Sequence, residues 1–259
     1  MLDAFQYLLG VLSGALVGFS LGLVGGGGSI LAVPLMVYLV GVKSPHVAIG
    51  TSALAVAANA LMSLLNHARA GNVRWRCGLM YAAAGVLGAF GGSTAGKAFD
   101  GERLLFLFAI VMIVVGALML RRRRHAGTLG AQCDRTNAPK VLGYGLGTGA
   151  FSGFFGIGGG FLIVPGLVAS TDMAMINAVG TSLVAVTAFG LTTALNYAAS
   201  GLVDWLLAGA FIGGGLLGSA LGARTAKRLS GNGQLTIVFA GLIFAVAAYM
   251  LWKSAADAF

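Results

Sequence analysis

Charge is what this sequence has least of. Only 9% of its 259 residues are charged, and seven are acidic: Asp3, Asp100, Glu102, Asp134, Asp172, Asp204 and Asp257. A water-soluble domain carries about a quarter charged residues, so the composition excludes a solvated globular surface. By the segment limits below, no Asp, Glu, Lys or Arg falls mid-segment, which argues against a proton relay built on intramembrane carboxylates. Cysteine is scarce as well. Cys77 and Cys133 form no CxxC and no framework spacing, so neither disulfide nor metal chemistry is indicated. The three histidines, His46, His67 and His125, lie in or near loops without an HExxH, and Ser152 in AFSGFF has no buried histidine to activate it. An enzyme is therefore not the reading, and no cofactor is expected.

What is abundant is apolar residues, at 58%, and glycine, at 43 residues. Both suit closely packed membrane helices. The net charge of +9 does not point to nucleic acid, because the basic residues sit in short loops between apolar stretches. Those stretches run over residues 4–24, 29–42, 47–65, 77–98 and 104–120, then 141–155, 160–170, 174–197, 206–226 and 235–252. Met1 to Phe5 holds Asp3 and no basic residue, so the first stretch reads as a retained span rather than a signal peptide. The second stretch of each set falls short of the roughly 20 residues a crossing needs, which predicts a broken or re-entrant helix. The linker between the sets carries Arg121, Arg122, Arg123 and Arg124.

The two sets repeat. GFSLGLVGGGGSILAVP (residues 18–34) matches GAFSGFFGIGGGFLIVP (149–165) at eight of 17 positions. Residues 50–75 match 180–205 at 13 of 26, including Gly-Thr-Ser, Asn66 with Asn196, Gly71 with Gly201 and Trp75 with Trp205. Shared low complexity does not align Asn, Pro and Trp in register, so the chain is a duplication. Placing the loop 66–76, the linker and the loop 224–233 in the cytoplasm puts 12 of the 16 basic residues inside. Equivalent loops then lie on opposite faces, as five passes per half requires. The expected fold is all-α: a polytopic membrane protein of two inverted repeats, residues 1–120 and 141–259, joined by a basic cytoplasmic linker, 121–140. The lipid bilayer is the implied partner, and self-association into a homo-oligomer is left open.

The functional expectation rests on the glycine blocks, Gly25-Gly26-Gly27-Gly28-Ser29 and Gly156-Ile157-Gly158-Gly159-Gly160. Each glycine costs a helix interior about 1 kcal/mol relative to alanine, and broken backbone in hydrocarbon is tolerated only inside protein or along a cavity. Each block therefore marks a bend, followed by a helix whose unpaired N–H groups and positive dipole end favour an anion. Ser29 is placed as an N-cap. Inversion is expected to bring the two bends together near the midplane as one binding site for a small anion. Thr51-Ser52 and Thr181-Ser182 are candidate neutral donors to it, against the alternative that they bond their own helix. Gly88/Gly92/Gly96 and Gly214/Gly218/Gly222 read as helix-contact faces, Asn59 needs a partner, Asn66 and Asn196 read as caps, and Trp75 and Trp205 as interface anchors.

With these paired blocks, each followed by GTS and then N-x4-G-x-V-x-W, the chain resembles the TauE/SafE sulfite exporter family, also called TSUP permeases. The resemblance covers nearly the whole chain. It implies transport of sulfite, sulfonates or related organosulfur acids across a bacterial cytoplasmic membrane, with an anion channel as the alternative to a carrier. It carries over to Gly25–Ser29, Gly156–Gly160 and their GTS partners. Ser29 and Gly26 stand where the second block has Gly160 and Ile157, so the two motifs are not equivalent.

Overall fold

A computed structural model describes residues 3–122, 133–134, 136–156, 160–229, 241, 244–249 and 252. Helices and their connections make up the described residues, with no strand among them. Helix α1 (Ala4–Val24) runs into a 3-10 turn, Gly25–Leu31, then α2 (Ala32–Pro34) and a π-helical segment, Leu35–Leu39. Helices α3 (Pro45–Arg69), α4 (Trp75–Lys97) and α5 (Gly101–Arg122) follow, then α6 (Ala138–Phe155), α7 (Gly160–Thr171), α8 (Met175–Ala198) and α9 (Trp205–Leu229). Several are long and apolar enough to cross a membrane, including α3 and α8. Outward-facing leucines such as Leu87 and Leu217, over 70% exposed, supply a lipid-compatible surface.

Small residues set the packing. In α4, Gly88, Gly92 and Gly96 lie directly on the backbone of Leu146, Ala150 and Phe154 in α6. In α9, Gly214, Gly218 and Gly222 lie on Val11, Ala15 and Phe19 of α1. Between lipid-solvated helices the gain comes from dispersion at close approach, which any larger side chain would forfeit. The expected contact faces are therefore the observed ones.

Helices α3 and α8 pair antiparallel at the centre. Gly190 of α8 meets Ala53 and Ala57 of α3. Near the start of α3, Thr51 Oγ1 accepts the N–H of Asp204, just before α9, at 2.9 Å. At the other end, Thr181 Oγ1 accepts the N–H of Arg74, just before α4, at 2.9 Å. Both hydroxyls thus serve helix starts in the opposite half of the chain. Such contacts recur in matched pairs at the repeat positions: Gly18 on Gly215 with Gly149 on Gly85, Gly14 on Phe211 with Gly145 on Tyr81, Gly50 on Leu202 with Gly180 on Asn72.

The cysteine expectation is corrected here. Cys77 and Cys133, 56 residues apart, form a disulfide with an S–S distance of 2.08 Å. Spacing carried no signal because the bridge is tertiary: it ties the first turn of α4 to the chain leading into α6, and α4 and α6 are paired along their length. The rest of the basic linker lies largely outside the described residues.

Candidate functional site

The glycine blocks do break their helices, but not where the sequence implied. Gly25 ends α1 at φ +64° and Gly156 ends α6 at φ +66°, conformations that glycine alone takes readily. Gly25 packs on Val179 and Ser182, in the first two turns of α8, whereas Gly156 packs on Ile49, in the second turn of α3. Because α3 and α8 are antiparallel, these are opposite ends of the pair. Val179 lies level with the last turn of α3, so about 20 residues of helix, roughly 30 Å, separate the two levels.

The expectation that the bends meet near the midplane is therefore corrected. The physical reason is that α1 stays helical for 21 residues, enough to traverse the bundle before it turns. The segment after the first bend then runs back to Val40, whose carbonyl accepts the Gln6 side chain at the start of α1, at 2.9 Å. The two post-bend segments lie side by side in between, α7 packing on the 3-10 turn. Helix N–H groups point toward the N-terminus, so the two amide-rich ends face opposite ends of the bundle rather than each other.

At the end where α3 finishes, Gly25–Ile30 are buried. The Gly26 N–H donates to Ser182 Oγ at 3.0 Å, and Ser182 Oγ–H donates to the Val179 carbonyl at 2.7 Å. Ser29 is not the N-cap expected of it: it sits inside the 3-10 turn and donates to the Gly26 carbonyl at 2.8 Å. Ser52 likewise bonds its own helix, donating to the Ile49 carbonyl at 3.0 Å. His67 Nε2 lies 3.0 Å from the Gly22 carbonyl, one turn before the bend. Of the second block, Gly156 and Gly160 frame the break between α6 and α7, while Ile157, Gly158 and Gly159 lie outside the described residues.

At the end where α3 begins, the structure adds a group that the motif reading passed over. The half-buried Lys97 ammonium, at the last residue of α4, donates to the Asn196 carbonyl (3.1 Å), Asn196 Oδ1 (2.9 Å) and Ser200 Oγ (2.8 Å). It also lies 5.9 Å from the centroid of the Tyr197 ring. Asn196 Nδ2 donates in turn to Ser93 Oγ and Thr94 Oγ1, so Asn196 bridges α8 to α4 and does more than cap. His46 stands 6.4 Å from Tyr197, ring to ring. Gly96, beside Lys97, touches Phe154, which places this cluster alongside the Gly156 bend. The signal was available: Lys97 and Lys227 stand at the same repeat offset as Asn66 and Asn196.

Between the ends, the core of α3 and α8 carries Asn59, Ser63 and Thr193, all fully buried. Asn59 was expected to have a partner; neither of its amide atoms has one among the described residues. It lies flat on Gly215, as its repeat counterpart Phe189 lies on Gly85. Among the described residues no group of His, Cys, Asp and Glu could hold a metal ion. The arrangement can offer backbone amides, hydroxyls and one ammonium, a chemistry that suits a hydrogen-bond-accepting anion.

Residues 10–250 match the family model described as "Sulfite exporter TauE/SafE". A "Probable membrane transporter protein" of Xylella fastidiosa (strain 9a5c) is 53% identical over 249 residues, covering 93% of this chain and 94% of its own. "Probable membrane transporter protein YunE" of Bacillus subtilis (strain 168) is 30% identical, covering 86% and 90%. A "Probable membrane transporter protein" of Methanocaldococcus jannaschii, MJ0441, is 31% identical over 62% of each chain. No solved structure matches. With residues 10–250 matched by the family model and 93% of the chain aligned to the Xylella fastidiosa relative, the chain belongs to the TauE/SafE sulfite exporter family of membrane transporters.

Proposed function

We propose that this protein is a secondary transporter of small sulfur-containing anions, such as sulfite, a sulfonate or a related organosulfur acid, working by alternating access in a bacterial cytoplasmic membrane. Residues 1–120 and 141–259 act as inverted repeats about the basic linker 121–140. One observation carries the mechanism: each glycine bend rests on the central helix of the other repeat, Gly25 on α8 and Gly156 on α3. Equivalent bends at opposite ends are what an inversion demands, and rocking one repeat against the other displaces both bends at once.

The anion path then has an amide-rich bend near each mouth instead of one shared midplane site. Gly25–Ser29 with Ser182 would serve one mouth, and Gly156–Gly160 with Ser52 the other. Thr51 and Thr181 act by holding the starts of α9 and α4 beside these mouths. The family model's description supports the sulfur-anion class, and the absence of any carboxylate among the groups described at either bend agrees with it.

Counterflow of labelled sulfite or methanesulfonate in proteoliposomes tests the proposal. Saturable exchange at carrier-like turnover is expected. No flux of any such anion through folded protein overturns the substrate assignment, and unitary conductance far above carrier rates would replace the carrier by an anion channel.

A further inference from the structure

The Lys97 ammonium spends all three of its protons on neutral acceptors, Asn196 O, Asn196 Oδ1 and Ser200 Oγ. No carboxylate is among them, although the group is withdrawn from solvent at a helix end. A half-buried cation without a counter-charge is a poor structural choice, because the desolvation cost is not offset by an opposite charge. Next to it, the Tyr197 side chain is fully buried, and its hydroxyl has no hydrogen-bond partner among the described residues. His46 Nδ1, its ring 6.4 Å from that of Tyr197, is likewise buried and without a partner among the described residues. An unpaired buried hydroxyl costs about 1–3 kcal/mol. Two buried polar atoms without partners among the described residues, and an ammonium hydrogen-bonded only to neutral acceptors, therefore gather around one ring, at the end of the bundle where α7 begins. Two of them, the ammonium and the phenol, are donors. The repeat counterpart of Tyr197 is His67, which already engages Gly22; at that end Arg74 Nε is a buried atom without a partner among the described residues, so the open phenol hydroxyl, and not unmet demand as such, is peculiar to this end.

We infer that Lys97, Tyr197 and His46 form an anion-recognition point at this mouth, deepening the proposed transport function on which it rests. An oxyanion oxygen displaces Ser200 Oγ or Asn196 Oδ1 from the ammonium and takes the Tyr197 O–H. Asn196, relieved of Lys97, keeps its bonds to Ser93 and Thr94, so α4 and α8 stay joined while the site is occupied. The ligand class is a small oxyanion with at least two acceptor oxygens, which both sulfite and a sulfonate satisfy. A lipid headgroup phosphate shares that chemistry, and the test separates the two sources.

Sulfite and methanesulfonate are titrated against the purified full-length protein in zwitterionic nanodiscs, at low and high salt, with thermal melts of every variant. Lys97→Gln is expected to weaken binding about tenfold or more, since a hydrogen bond to a charged group is worth about 1.5–3 kcal/mol. It should also flatten the salt dependence seen in the wild type. Lys97→Arg should retain most of the affinity. Tyr197→Phe, which keeps the ring and loses only the unpaired hydroxyl, should weaken binding several-fold while the melting temperature of the anion-free protein stays equal to or above that of the wild type. Binding within twofold of wild type in both Lys97→Gln and Tyr197→Phe overturns the inference. So does a Lys97-dependent affinity for nanodiscs containing phosphatidylglycerol without any for the two sulfur anions. If instead wild-type protein exchanges no sulfur anion in proteoliposomes, the transport reading fails first, and that result is distinct from either.

Discussion

Replacing Gly25 with alanine tests the geometry on which the transport proposal stands. Two penalties meet at this residue. Its φ of +64° and ψ of −142° lie where L-residues with a side chain are strained, at a cost of about 1–3 kcal/mol. A Cβ there would also approach the Val179 Cα to 2.9 Å and the Ser182 Oγ to 2.9 Å, closer than real Cβ contacts allow. Relieving that overlap means moving the bend off α8, and overpacking of this kind costs a further 1–3 kcal/mol or so. The shift also stretches the Gly26–Ser182 hydrogen bond, worth about 1 kcal/mol. The sum is about 3–7 kcal/mol. Gly201→Ala provides the control. It has φ +70° and nothing within 4 Å of the added methyl, so it carries the backbone penalty alone. Melting of purified protein in one detergent, followed by tryptophan fluorescence or thiol-independent light scattering, should show a Gly25→Ala loss at least twice that of Gly201→Ala. Transport should fall with it, while Gly201→Ala remains close to wild type. Equal losses in the two variants would mean that Gly25 does not press on α8, and the coupling between bend and opposite repeat would go.

Other expectations follow from single contacts. Thr51→Val and Thr181→Val each remove one acceptor for the N–H of the residue preceding α9 or α4, and each should cost about 0.5–2 kcal/mol in thermal melts, by similar amounts; a large inequality would argue against matched roles. Gly27→Leu should abolish counterflow, with thermal melts separating lost transport from lost fold, and normal exchange would remove that block from the path. The Cys77–Cys133 bridge closes a loop worth about 4 kcal/mol in the chain-entropy view, so Cys77→Ser and Cys133→Ser should lower the melting temperature of oxidised protein equally. The bridge also tests orientation, because disulfides are rare in the cytosol. Thiols found reduced in rapidly alkylated cells, and linked only after lysis, agree with the cytoplasmic placement drawn from loop charge; a bridge already formed in intact cells reverses it.

Much of the fold was readable because membrane helices leave their rules in the sequence. Glycines four apart in α4 and α9 named the contact faces, and the duplicated Gly-Thr-Ser and Asn-x4-Gly patterns located α3 and α8 as counterparts. Exposed Trp75 and Trp205 open α4 and α9, consistent with anchors at bundle ends. What failed to read out was tertiary. The disulfide joins residues that only the α4–α6 pairing brings close. Ser29 has the right residue type for a cap, yet a 3-10 turn gives its hydroxyl a nearer carbonyl in Gly26. Lys97 falls near the end of the stretch 77–98, and segment counting cannot tell a helix end facing solvent from one folded over a neighbouring ring.

The misplaced midplane site is the most instructive of these differences. The sequence shows that the chain breaks after about 20 apolar residues, and that number supports either a bend halfway down a tilted helix or a bend at the far end of a straight one. Residue type cannot choose between them, but contact can. Gly22 lies level with His67, two residues before α3 ends, so α1 is straight and the bend lies at the far end. An anion held at one bend is then close to one mouth and distant from the other. Alternating access in such a molecule cannot be a gate swinging around a stationary ligand. On the proposed function the ligand passes through the core between the two mouths, where Asn59, resting on Gly215 of α9, and Ser63 and Thr193 carry buried polar atoms without a partner among the described residues. Unsatisfied groups at that depth are costly unless something with complementary polarity visits them. Asn59→Ala and Ser63→Ala should therefore slow exchange while leaving binding at the Lys97 mouth within about twofold of wild type, a separation expected only if the anion passes these buried polar groups between two terminal sites. Exchange at the wild-type rate in the double variant would show that the anion travels elsewhere.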